Sequence, residues 1–136
     1  MTAPGNDPRI RSAAALYAAL AKGDAGQLDR LLHPEFEGRT TDGLPFGLGG
    51  TYRGIPAMRD QFWWQIGKHY LAGAEPSDFS PLGVDGLLVR GRYHGAARST
   101  GKLLDAAFMH VLHFRDGSID MLEQLTDSAR WWEALG

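Results

Sequence analysis

The chain of 136 residues contains no cysteine. Disulfides, thiolate nucleophiles and cysteine-based zinc sites are thereby excluded, and a cytoplasmic setting is expected. No apolar run approaches the roughly 20 residues that span a bilayer. An excess of one charge is lacking too. The 14 Lys and Arg stand against 16 Asp and Glu, a formal net charge of −2, which argues against nucleic acid or an anionic membrane as partner. Arg90, Arg92 and Arg98 cluster, but acidic neighbours dilute their field and a solvated strand face accounts for them. His69, His94 and His113 have no joint metal-ligand spacing, and Gly47-Leu48-Gly49-Gly50 lacks the Lys-Ser/Thr of a phosphate loop. No metal and no cofactor are expected. Arg9 and Arg11 precede an alanine-rich run, but Tyr17 interrupts it and it continues into a capped helix, unlike a leader.

What is present describes a soluble globular domain. Hydrophobic residues make up 43% and charged residues 22%, and the length suffices to bury a core without staples. One domain over residues 1–136 is expected, with residues 1–6 as a loose tail. Asp7-Pro8 supplies an N-cap and a first-turn proline, and Ile10, Leu16, Tyr17 and Leu20 follow helical spacing to Gly23. Asp24 with Gln27 opens a second helix. His33-Pro34 ends it, leaving His33 as a partner for the helix C-terminal dipole. Residues 36–41 read as a short strand. Residues 42–50 form a glycine-rich loop whose Leu44, Phe46 and Leu48 cover something apolar. Gly54-Ile55-Pro56 begins a third helix ending near Gly73. On it Phe62, Trp63 and Trp64 are consecutive, so one should point away from the other two.

Beyond the third helix the pattern alternates. Strands are expected over about 75–82, 87–95, 102–115 and 118–126, with Asp85-Gly86 and Asp116-Gly117 as hairpin dipeptides. Asp127 caps a last helix containing Trp131 and Trp132. The hairpin over 102–127 is the most informative segment. Phe108, His110, Leu112 and Phe114 share one strand face, and Leu122, Gln124 and Thr126 share the facing register on the return. An imidazole and an amide on an apolar sheet face describe a lined pocket. Asp105 has the opposite parity and reaches that face only if Ala106-Ala107 bulges; a solvated or salt-bridged Asp105 is the plainer reading.

Three segments, LYAALAKGDAGQLDRLLHPEF, TYRGIPAMRDQF and VRGRYHGAARSTGKLLDAAFMHVLHFRDGSI, close with Gln124-x-x-Asp127. Together with the element order they resemble the nuclear transport factor 2-like superfamily, in its SnoaL-like and ketosteroid isomerase-like branch. The resemblance implies an α+β, cone-shaped half-barrel. In it a curved, mostly antiparallel sheet carries three to four helices on one face and encloses an apolar pocket, often in a homodimer. It says less about activity, because isomerases, cyclases, dehydratases, epoxide hydrolases and non-catalytic binders share the fold. His110 falls where isomerases place an oxyanion-donating aspartate and where SnoaL-like cyclases place a histidine. Gln124 falls where those cyclases use an aspartate as acid/base. The isomerase base falls near Arg39 or Thr40, and its helical tyrosine near Leu16, with Tyr17 one step off. Both departures count against those particular chemistries.

The candidate catalytic residues are therefore His110, Gln124 and Asp42, the last at the head of the glycine-rich loop. Neutral imidazole both donates and accepts, and its pKa suits proton transfer; a core histidine satisfied by backbone or tyrosine is the plainer alternative. Gln124 orients a water or carbonyl, or simply bridges strands. Asp42 serves as a swinging base or caps an Asx turn. Tyr17, Phe46, Trp63, Trp64, Phe108, Leu112 and Leu122 are the candidate substrate-binding residues. The function expected is cofactor-independent isomerase, cyclase or dehydratase chemistry on an apolar oxygenated small molecule. The alternative is a non-catalytic binding domain, or a homodimeric interaction module presenting Arg90, Arg92, His94 and His113.

Overall fold

The computed structural model describes residues 7–136, and the tail expected over residues 1–6 lies outside them. Helix α1 (Pro8–Lys22) starts at Asp7, whose carboxylate accepts the Arg9 backbone N–H at 2.9 Å, and stops at Gly23 with φ 65°. Helix α2 (Ala25–Leu31) starts at Asp24, which accepts from the Gln27 N–H at 3.1 Å. Both ends are where the capping residues put them.

Strand β1 (Leu32–Thr40) begins at once, earlier than expected. Its pairing with the last strand shifts register between Leu32 and Glu37, and that irregularity accommodates Pro34 without a lost ladder bond. His33 is thus in the strand, and its Nδ1 accepts from the Glu35 N–H at 3.0 Å. The loop over 41–49 contains a 3-10 turn (Pro45–Gly47), and it returns as β2 (Gly50–Arg53), a short strand the alternation pattern did not reveal.

The third helical segment runs from α3 (Ile55–Met58) through a π turn (Arg59–Trp63) into α4 (Trp64–His69). It ends four residues before Gly73, because the chain after the fourth strand captures its last carbonyls. Arg98 donates through its backbone N to His69 O and through Nε to Gly67 O, each at 2.9 Å. Strand β3 (Tyr70–Leu82) follows, then β4 (Gly86–Ala97), β5 (Leu103–Arg115), β6 (Ser118–Thr126) and helix α5 (Ser128–Glu133). Asp116 and Gly117 turn β5 into β6 with φ of 53° and 80°, the left-handed pair a two-residue hairpin demands.

The six strands form one curved sheet in the order β2-β1-β6-β5-β4-β3, with β1 and β6 parallel and every other pair antiparallel. This is the α+β arrangement, helices over one face of a curved sheet, that the residue pattern implied, and it is consistent with the cone-shaped half-barrel that the resemblance implied. Along β5 burial alternates without a break: Leu104, Ala106, Phe108, His110, Leu112 and Phe114 face in. Asp105 therefore lies on the outer face, 2.5 Å from Arg92 Nε. Among the described residues no helix is long and apolar enough to cross a membrane.

One glycine is required by packing on that sheet. Gly91 pairs with Phe108, and a Cβ at Gly91 would lie 2.7 Å from the Phe108 ring and against the Glu75 carbonyl. Gly91→Ala should lower the unfolding free energy by about 1–3 kcal/mol, the usual cost of overpacking. Urea denaturation measures it, and an unchanged midpoint would show that the ring yields freely.

Candidate functional site

Beneath the helices the sheet leaves a cavity of about 560 Å³. Its walls are mostly apolar, and its floor holds four linked polar side chains: Tyr17, His110, Tyr93 and Gln124. Each comes from a different element. His110 and Gln124 are directly opposed across β5 and β6. Tyr93 projects from β4 and Tyr17 from α1, which crosses above the sheet. All four are buried, none more than 7% exposed.

The links are short. Tyr17 Oη lies 2.8 Å from His110 Nδ1, and Tyr93 Oη lies 2.8 Å from His110 Nε2. Gln124 Nε2 donates to Tyr93 Oη at 2.7 Å. The amide orientation is set at its other end, where Gln124 Oε1 accepts the Thr41 backbone N–H at 3.3 Å. Thr41 Oγ1 donates to the Gln124 carbonyl at 3.1 Å and itself accepts the Thr126 N–H at 3.0 Å. Phe108 stacks on the imidazole from below with ring centroids 4.1 Å apart. Among the described residues no buried side-chain nitrogen or oxygen lacks a hydrogen-bond partner. In a low-dielectric interior that completeness is what makes the cluster tolerable.

Burial fixes the protonation states. Desolvation pushes the His110 pKa down from 6.5 to about 3, so the ring is neutral at physiological pH. Burial pushes both the Tyr17 and the Tyr93 phenol well above the usual tyrosine range, with the Tyr93 charge adding to the effect on Tyr17 and the Gln124 hydrogen bond partly offsetting it on Tyr93. The site therefore offers neutral hydrogen-bonding groups. No Asp or Glu borders the cavity.

The other sequence candidates distribute as follows. Leu122, Trp63 and Trp64 border the cavity, and so does Phe62. All three consecutive aromatics border the cavity, on a helical segment that a π turn over Arg59–Trp63 interrupts; Phe62 also packs beside Tyr52 and Trp63 beside Phe36. Phe108 and Leu112 lie in the core under the floor. Phe46 sits outside the cavity with a left-handed backbone, φ 62°, its ring stacked on His69 at 3.7 Å. Asp42 is exposed and does not border the cavity. Tyr93 was missed by sequence reasoning although the signal exists: Leu87, Val89, Gly91 and Tyr93 share one parity on β4. Arg98 was also misread. Arg90 and Arg92 face outward from β4, whereas Arg98 lies at the cavity mouth.

Residues 13–122 match the family model described as SnoaL-like domain. Comparison with curated proteins gave no match. Among solved structures the chain is similar to an NTF2-like protein of Burkholderia thailandensis E264, with 25% identity and a TM-score of 0.82 over 93% of this chain and 95% of that one. It is equally similar to TerC, crystallised with polyporic acid, at 25% identity and a TM-score of 0.83, covering 95% and 98%. An NTF2-like protein of Burkholderia pseudomallei K96243 matches at 24% identity and a TM-score of 0.84, covering 95% and 98%.

Two measurements follow from the buried cluster. Because folded His110 refuses a proton that the unfolded chain accepts below about pH 6.5, stability should be full above that pH and fall by a few kcal/mol as pH drops toward 3. Urea midpoints at about pH 7 and about pH 4.5 should separate more for the native chain than for His110→Gln; equal losses would remove His110 as the cause. Tyr93→Phe strands the Gln124 amide and should cost about 1–3 kcal/mol at neutral pH.

Proposed function

We propose that this chain, which belongs to the SnoaL-like domain family, binds an apolar small molecule through its carbonyl oxygen and polarises that carbonyl with the Tyr17 hydroxyl. The observation that carries this is the hydrogen-bond chain that links Gln124, Tyr93, His110 and Tyr17. Gln124 Nε2 can only donate to Tyr93, and in this reading Tyr93 gives its own proton to His110 Nε2, the acceptor beside it. The neutral ring then holds its proton on Nδ1 and donates it to Tyr17 Oη. Tyr17 is left with a free O–H, and its ring borders the cavity. The donor series Thr41, Gln124, Tyr93, His110, Tyr17 thus ends on the ligand, each bond polarising the next.

Such a preorganised donor in an apolar cavity favours charge developing on a bound oxygen, as when a ketone enolises. Isomerisation, cyclisation and dehydration all pass through that kind of species. His110 acts in this reading as a positioning residue, since both its nitrogens are engaged, and Gln124 fixes the polarity. Trp63 and Trp64 grip the apolar body. TerC, the relative crystallised with polyporic acid, is consistent with a pocket for oxygenated small molecules. A homodimer across the outer sheet face, where Leu103, Met109 and Leu125 are exposed, belongs to the same reading.

One observation favours a second reading, a binding domain without catalysis: no carboxylate borders the cavity to take the proton from carbon. A single probe separates the two. 4-Acetylbiphenyl, labelled with carbon-13 at the carbonyl, should show a lowered C=O stretch when bound to the native chain. Tyr17→Phe should abolish the lowering and weaken binding about three- to tenfold, the worth of one neutral hydrogen bond. An unshifted carbonyl in the native complex contradicts the polarisation. Exchange of the acetyl protons with deuterium oxide should be faster in the native complex than in buffer if the protein is an enzyme. Exchange at the buffer rate selects the binding domain.

A further inference from the structure

The cavity mouth carries a charge asymmetry that its floor does not. Among the described residues that border the cavity, Lys68 and Arg98 alone are charged, and both are cations. The same two side chains border a second, smaller recess of about 380 Å³, completed by Phe46, His69 and Ser99. Lys68, His69, Arg98 and Ser99 all bring hydrogen-bond donors to this recess, and no acid lines it. Phe46, its ring stacked on His69, completes the lining.

Local structure explains why these cations are available. Arg98 is held by capping the end of α4 through Nε and its backbone N, which leaves its terminal guanidinium nitrogens turned to other partners. Among the described residues, neither Arg98 nor Lys68 forms an ion pair; Arg30, Arg90, Lys22 and Lys102 form none either, but those four do not border the cavity. Two unpaired cations that border both an apolar cavity and a donor-lined recess favour an anion between them.

We propose that the ligand is an elongated amphipathic anion: an acceptor oxygen at the Tyr17 end, an apolar body along Trp63 and Trp64, and a carboxylate-type group in the recess between Lys68 and Arg98. This rests on the reading of the cavity as a small-molecule site and adds the chemical class of its occupant. It also gives the ligand a direction, since an anion placed on the neutral, buried floor would lack a counter-charge.

The test compares 4′-acetylbiphenyl-4-carboxylate with 4′-acetylbiphenyl-4-carboxamide, which share shape and acceptor and differ in charge. Calorimetry on the full chain at low ionic strength should give about five- to tenfold tighter binding of the carboxylate, as two exposed ion pairs allow, and the preference should shrink as salt is added. Lys68→Gln combined with Arg98→Gln should reduce it to near unity while amide affinity is kept. Lys68→Glu, which leaves the helix-capping Arg98 in place, should turn it toward the amide. Tyr17→Phe should weaken both probes equally and leave the ratio intact. Equal affinity of the native chain for the two probes, or a preference that survives both charge variants, overturns the anionic class and leaves the cavity reading standing. Failure of both probes to bind overturns the cavity reading and the proposal with it.

Discussion

A neutral imidazole, buried and held at both nitrogens by tyrosine hydroxyls, is the constraint around which the rest of the molecule is arranged. His110 cannot be exposed to water without opening the sheet. It cannot be buried unless both ring nitrogens are paired, since each stranded polar group would cost about 1–3 kcal/mol. Tyr17 of α1 and Tyr93 of β4 meet that demand at 2.8 Å each, and Gln124 of β6 holds Tyr93 in turn at 2.7 Å. The position of α1 over the sheet and the register of three strands are thereby tied to one ring.

Local choices in the sequence serve that geometry. The left-handed pair Asp116 and Gly117 joins Arg115 to Ser118, and the one-residue register shift between His113 and Phe114 then opposes His110 to Gln124. Gly91 withholds a side chain where Phe108 must lie to stack on the imidazole. The π turn in the third helix and the early stop at His69 open the space above the cluster and leave Arg98 at its rim. The result is a floor of uncharged donors, walls of aromatic rings and a cationic mouth. Such a site offers preorganised dipoles rather than a titrating side chain, because burial has moved the imidazole below the neutral range and both phenols further above it.

The strongly periodic parts were legible in the sequence. Alternation on β5 and β6 located His110 and Gln124 on the inner face and Asp105 on the outer, and capping residues marked both ends of α1. Resemblance to the superfamily pointed to the curved sheet and the enclosed cavity. What escaped depended on interactions distant in sequence. The end of α4 is decided by Arg98, about thirty residues downstream. Strand β2 is only four residues long and exists because β1 offers it an edge. The aromatic wall lies on a helical segment interrupted by a π turn, which no helical-wheel argument includes. Tyr93 carried the right parity, but its role appears only once the sheet brings it to His110, and the orientation of the Gln124 amide depends on a backbone N–H in a loop that pattern reading treats as featureless.

The direction of the hydrogen-bond chain is the central claim, and the position of one proton decides it. Nitrogen-15 correlation spectra of the His110 ring at neutral pH report which nitrogen carries the hydrogen. The account predicts a neutral ring protonated on Nδ1, with Nε2 as the unprotonated acceptor of the Tyr93 hydroxyl. A ring protonated on Nε2 would reverse the chain, direct the spare proton to Tyr93 and contradict the assignment of Tyr17 as the group that meets the ligand.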